Sequence, residues 1–269
     1  MFKKIAIAAL AASLFAPMAA MADVNLTASG STALLPLVKE SAQGYQGAHS
    51  DVKISVSGGG SYAGISQAAS KSVDIGDSDV IAPGNSGLKD HKVCVVGFGV
   101  IANPSSGVSG LSRKQIRDIF SGKVNNWKQV GGKEGQITVI NRPRASGTRA
   151  VFNATVMGTS RISESGLVED SSGTVVNTVG STPGSISYVA LGYTRGKPVN
   201  VLKVDGIAPT EENIERGKYA IWSYEHMFTH AGGPSQAEDF IKYVMNNKDV
   251  IAKLGYIPVS EMKVRENNR

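Results

Sequence analysis

Three arginines, Arg142, Arg144 and Arg149, crowd the stretch NRPRASGTRAVF around Ser146-Gly147-Thr148. Cations this close repel one another, so the arrangement suits a negative group. A guanidinium makes a bidentate, charge-assisted pair with a tetrahedral oxyanion. Arg142 follows the apolar run QITVI, where it can reach over the turn. Arg144 and Arg149 read equally well as solvated charges on a helix face. Two further turns, Gly30-Ser31-Thr32 and Gly58-Gly59-Gly60-Ser61, also lead from a strand-like run into a helical pattern. A helix start leaves its first N–H groups unpaired and carries partial positive charge. Glycine lets the backbone approach closely, and the hydroxyls add donors. One such turn is an ordinary N-cap. Three of them beside an arginine cluster point to a shared anion.

Asp79, in DIGDSDV, is out of place near an anion unless it selects one. Phosphate near neutral pH keeps at least one proton, and a carboxylate accepts that hydrogen bond. Sulfate offers no proton and meets only repulsion. On local grounds Asp77 is an equal claimant to this role.

The elements that must carry these turns alternate. VNLTA reads as a strand, and Leu34, Leu37, Val38, Ala42 and Tyr45 then share one helical face. DVKISVS is a second strand, and Ile65, Ala68 and Ala69 mark the inner face of the next helix. SVDIGDSDV holds a third strand. CVVGFGVIANP is a continuous apolar run, as expected of a strand buried on both faces of a parallel sheet. Ser112 with Gln115, and Ser235 with Glu238, form two capping-box signatures. QITVINR and ISYVALGY are later strands. Alternation of this kind predicts an α/β fold with largely parallel sheets. GFGVIANP and YAIWSYEHMF are candidate crossovers between two lobes. They divide the chain into 23–99 plus 226–269 as lobe one, and 100–225 as lobe two.

The first 22 residues have Lys3 and Lys4, an apolar run, and Ala20-Met21-Ala22. That is a secretory signal peptide, with cleavage expected after Ala22. No cysteine stands at the cleavage point to carry a lipid, and no later run is long enough to span a bilayer. The expected location is a bacterial periplasm. Two of the 28 Lys and Arg fall in this leader, and 22 Asp and Glu oppose the remainder, a mild positive excess. The basic residues are dispersed, which argues against a nucleic-acid surface. A mild excess suits attraction of a small anion. The lone cysteine, Cys94, lies in an apolar run and reads as a core residue.

The chain resembles the phosphate-binding proteins of bacterial high-affinity phosphate ABC transporters. ASGSTALLPL, GGGSYAGI, VDIGDSDV, DIFSGKVNNWKQVGG, NRPRASGTR, TPGSISYVALGY and GYIPV carry the resemblance, in order, over nearly all of the mature sequence. It implies two α/β lobes closing over one dehydrated phosphate, with no catalysis and no cofactor. It implies a membrane-embedded ABC transporter permease as partner and a monomeric protein. It assigns phosphate contacts to Ser31, Thr32, Ser61, Asp79, Arg142, Ser146, Gly147 and Thr148, and so prefers Asp79 to Asp77. Some members have an acidic residue between the arginine and Ser-Gly-Thr that orients the arginine. Here Pro143-Arg144-Ala145 fills that interval, which leaves the orientation of Arg142 open and Arg144 as a candidate to share its role.

Other readings remain. The same fold could hold sulfate or molybdate. Gly58-x-Gly60-x-x-Ala63 followed by Asp79 fits a loose dinucleotide fingerprint, though export argues against a nicotinamide enzyme. A hydrolase lacks both a Gly-x-Ser-x-Gly elbow and a Walker A loop. His226 and His230, four apart, would share a helical face, but a metal site needs further ligands.

Overall fold

The computed structural model describes residues 23–265, so the expected leader and its cleavage site lie outside the described residues. The first half of the fold contains β1 (Val24–Gly30), α1 (Leu35–Ala48), β2 (Val52–Gly58), α2 (Ser61–Ala69), β3 (Ile75–Ser78) and the long β4 (Leu88–Ala102). The chain continues through β5 (Gly110–Leu111), α3 (Arg113–Phe120), β6 (Thr138–Asn141), α4 (Gly147–Phe152), β7 (Leu167–Val168), α5 (Ser172–Ser181) and β8 (Ser185–Ala190). It returns by β9 (Asn200–Val201), β10 (Lys203–Val204), α6 (Glu211–Glu215) and β11 (Trp222–His230), and ends in α7 (Ser235–Asn246) and α8 (Lys248–Lys253).

The main sheet runs β2-β1-β3-β11-β4-β8-β6-β7, with β9 added on β4. Pairing is parallel at each end, between β1 and both β2 and β3, and between β6 and both β7 and β8. The middle is antiparallel, where β11 pairs β3 and β4, and β4 pairs β8. The apolar run in β4 is buried as expected, but its neighbours are antiparallel. Burial of both faces gives the same apolar run in either direction. β4 belongs to both halves: Trp222 opposite Gly97 ends its pairing with β11, and Phe98 opposite Ala190 begins its pairing with β8. The two halves thus share one strand, β4, in which the first candidate crossover begins.

The helix faces follow the apolar period. Leu37, Val38, Ala42 and Tyr45 of α1 are buried, and Ile65 and Ala68 of α2 with them. Ala69 is exposed, because it closes the helix and the inner stripe has already turned away. Cys94 is fully buried. The box on α3 forms, with Ser112 and Gln115 bonding each other's backbone N–H. The second one does not. Pro234 occupies the cap of α7 without a side-chain bond, and Glu238 pairs with Lys89 at 2.7 Å instead. His226 and His230 lie on strand β11, not on a helix, and His226 Nδ1 meets Asp90 Oδ1 at 2.7 Å. Among the described residues no cluster of His, Cys, Asp and Glu is placed to hold a metal ion, and no helix is long and apolar enough to cross a membrane.

Candidate functional site

Each strand-to-helix turn ends at the same buried place. Just after β1, Ser31 Oγ accepts from the N–H groups of Ala33 and Leu34 at 3.0 and 3.1 Å, so it closes the turn into α1. Its own proton goes to Asp79 Oδ1. Ser61 opens α2, and its Oγ accepts from the Asp79 backbone N–H at 2.9 Å. Ser146 caps α4 by accepting from the N–H of Arg149 at 3.2 Å. Thr148, in the first turn of α4, donates to Asp79 Oδ2 at 2.7 Å. Asp79 therefore stands between turns of both halves, and only 2% of it is exposed.

Arg142 follows β6 directly and is 1% exposed. Its backbone N–H donates to Asn141 Oδ1 at 2.8 Å, and Tyr188 Oη donates to the same oxygen at 2.6 Å. Tyr188 stacks on Phe152 with ring centroids 4.1 Å apart, and Phe120 packs on both rings. An aromatic core thus fixes the backbone from which the arginine departs. Arg142 Nη2 donates to Thr32 Oγ1 and to the carbonyl of Asp170, both at 3.1 Å. Nε and Nη1 are buried and meet no protein acceptor. Burial pushes the Arg142 guanidinium below its ordinary pKa, and the Asp79 charge opposes that shift. A buried cation with two free donors is costly unless an anion completes it.

The other two arginines separate from it. Arg144 has an 87% exposed side chain and reaches only Glu164, at 3.5 Å. Arg149 was expected to point to solvent, and it does not. It is buried, and Nη1 donates to the carbonyl of Arg142 at 2.7 Å while Nη2 meets Glu164 at 3.2 Å. A carbonyl left by the irregular backbone after β6 needs a donor, and Arg149 supplies it. An open depression of about 730 Å³ carries Arg144, Arg161, Glu164 and Tyr62 at the rim. Arg144 and Glu164 there are exposed, unlike the buried cluster at Asp79.

Glycine is required where the halves touch. A Cβ on Gly147 would overlap Ser61 Oγ, and one on Gly60, at φ 95°, would lie 2.6 Å from the Ala145 carbonyl. The N–H of Tyr62 donates to that carbonyl at 3.2 Å. All eight residues singled out from sequence are thus gathered around one junction. Sequence reasoning missed the groups that hold them. Ser172 N–H donates to Thr32 Oγ1 at 3.2 Å, and Tyr193 Oη donates to the Thr32 carbonyl at 2.7 Å. Burial pushes the Tyr193 phenol up to about 12. Asp77 is buried with both oxygens unpartnered, and burial holds its carboxyl well above the usual range.

Comparison with known proteins identifies the family. Residues 17–248 match the model of the PBP superfamily domain. The phosphate-binding protein PstS of Bacillus subtilis is 40% identical over 251 residues, covering 90% of this chain and 83% of the relative. The chain belongs to the phosphate-binding protein family. A Clostridium perfringens structure, of a chain named as a phosphate ABC transporter substrate-binding protein with bound phosphate, superposes with a TM-score of 0.83 at 28% identity. It covers 87% of this chain and 99% of that one. A phosphate transport receptor from Vibrio cholerae superposes at 0.71 with 26% identity, over 86% and 99% of the two chains. As a phosphate-binding protein family member, this chain departs from the acidic residue that some members place before Ser-Gly-Thr. The structure supplies another means of orienting the arginine: Thr32 Oγ1 and the Asp170 carbonyl share Nη2.

Proposed function

We propose that this protein captures inorganic phosphate outside the cytoplasm and delivers it to a membrane-embedded ABC transporter permease. The observation that carries the reading is Arg142, buried with two guanidinium donors unmet, in a cluster with an acidic acceptor. In this reading Arg142, Thr32, Ser31, Ser61 and the Ser146-Gly147-Thr148 helix start donate to the phosphate oxygens. Asp79 accepts the proton that phosphate retains and sulfate lacks. The function is binding, not catalysis, and no cofactor enters it.

The lobes divide at 23–99 plus 226–269 and at 100–225, and the ligand draws them together. The chain acts as a monomer with no nucleic-acid partner. It is exported to the periplasm by a signal peptide cleaved after Ala22. The dinucleotide alternative gains nothing from Gly60, because that glycine makes room for the Ala145 carbonyl of the facing turn. Asp79→Asn tests the reading. Its amide accepts a hydrogen bond but also offers N–H donors and lacks the charge. Titration of the variant should show weaker phosphate binding and a narrower gap between phosphate and sulfate. An unchanged gap would remove Asp79 as the selector.

A further inference from the structure

Glu225 is the buried glutamate among the described residues, and no protein donor reaches either of its oxygens. It lies on β11, where His226 stands opposite Ser78 of β3 in antiparallel register. Glu225 precedes His226 and Asp79 follows Ser78, so the two acids lie at the same end of the β3–β11 pairing. The two carboxyl groups are within hydrogen-bonding reach of each other. Two acceptors bond only if one of them carries a proton. Asp79 already accepts hydroxyl hydrogens from Ser31 and Thr148 on its two oxygens, which places it as the acceptor of the pair. Glu225 has no such support.

We propose that Glu225 is a protonated positioning residue that donates its hydrogen to Asp79 and so keeps Asp79 an obligate acceptor. This rests on the reading of Asp79 as the ligand-selecting group. A carboxylate has about four acceptor directions. Ser31, Thr148 and Glu225 fill three, which leaves one for a proton on the bound oxyanion. If the shared proton sat on Asp79 instead, that residue would donate, and a fully deprotonated oxyanion would become acceptable. The surroundings agree. Burial and the Asp79 charge both hold the Glu225 carboxyl well above the usual range. The groups facing it are Asp77 on β3, Cys94 opposite on β4, and Tyr256, whose hydroxyl is committed to the Ala33 carbonyl at 2.6 Å. Among these there is no cation to stabilise a second charge.

The test combines a spectroscopic readout with two variants. Infrared spectra of wild type, with its glutamate carboxyls isotope-labelled, should contain a carbonyl stretch of a protonated carboxylic acid at neutral pH. The band should move with the glutamate label, which separates it from Asp77, and should be absent in Glu225→Gln. Phosphate and sulfate titrations follow. Glu225→Gln keeps an N–H donor and should hold phosphate affinity within about threefold of wild type. Glu225→Leu should lose about tenfold or more and should narrow the phosphate–sulfate gap. Absence of the labelled band in wild type overturns the proposal, and needs no variant to fold. So does a Leu variant that matches the Gln variant in both titrations. If wild type binds no phosphate, the functional reading fails, while the labelled band still decides where the proton lies.

Discussion

Arg142, Arg144 and Arg149 are the same residue type close together in sequence, and burial gives them different work. Arg142→Ala removes a buried charged donor from the proposed ligand site and should cost about 2–5 kcal/mol of phosphate binding free energy. Arg144→Ala removes an exposed charge that holds only a long surface pair, and should bind as wild type does. Arg149→Ala leaves the Arg142 carbonyl without its donor, so thermal unfolding should show a loss of about 1–3 kcal/mol in stability. Calorimetric titration and melting of the three variants check this ranking. An Arg144→Ala variant with the largest binding loss would move the ligand contact to that residue. The sequence distinguishes Arg142 by its place at the end of a strand, four residues before the Ser146 cap. It does not reveal Arg149, because a cation in the first turn of a helix faces solvent by default. The backbone carbonyl that recruits it exists only once β6 and α4 are packed. Glu225 was equally hidden: nothing in WSYEHMF marks one acid as neighbour to another that is remote in sequence.

At the scale of elements, the two capping-box signatures give a direct contrast. In α3 both bonds form, so Ser112→Ala should cost about 1 kcal/mol of stability. In α7 the signature is present and the bonds are not, so Ser235→Ala should leave the melting temperature nearly unchanged. Equal losses in the two variants would mean that the α7 cap forms in solution. The local signal was the same in both places. What separated them was a tertiary partner, Lys89, which takes the Glu238 carboxylate. The same limit governs strand direction. The apolar run of β4 announces burial, but antiparallel pairing with β11 and β8 depends on where the chain returns. His226 and His230 show the reverse error, since a spacing of four was read on a helical period while the segment is a strand. Where Gly, Ser and Thr stand between an apolar run and an amphipathic one, the strand-turn-helix units were readable, because turn chemistry is local.

For the whole molecule, the donors come from two halves that share β4, and hydrogen bonds from Thr148 to Asp79 and from Arg142 to Thr32 join them. An anion contacting both halves favours the closed arrangement by its differential affinity. Solution scattering with and without phosphate should therefore show compaction on binding. Identical curves at saturation would remove closure from the account. Gathering donors from remote turns at one junction also explains why the site was legible as a set and not singly, since each turn alone has the sequence of an ordinary cap. The central claim is that this gathering selects a protonated oxyanion. Titration calorimetry of the purified protein with phosphate, and with sulfate under the same conditions, tests it most directly. One phosphate should bind per chain, with sulfate more than tenfold weaker. Sulfate binding within tenfold of phosphate, a difference below about 1.4 kcal/mol, would contradict it.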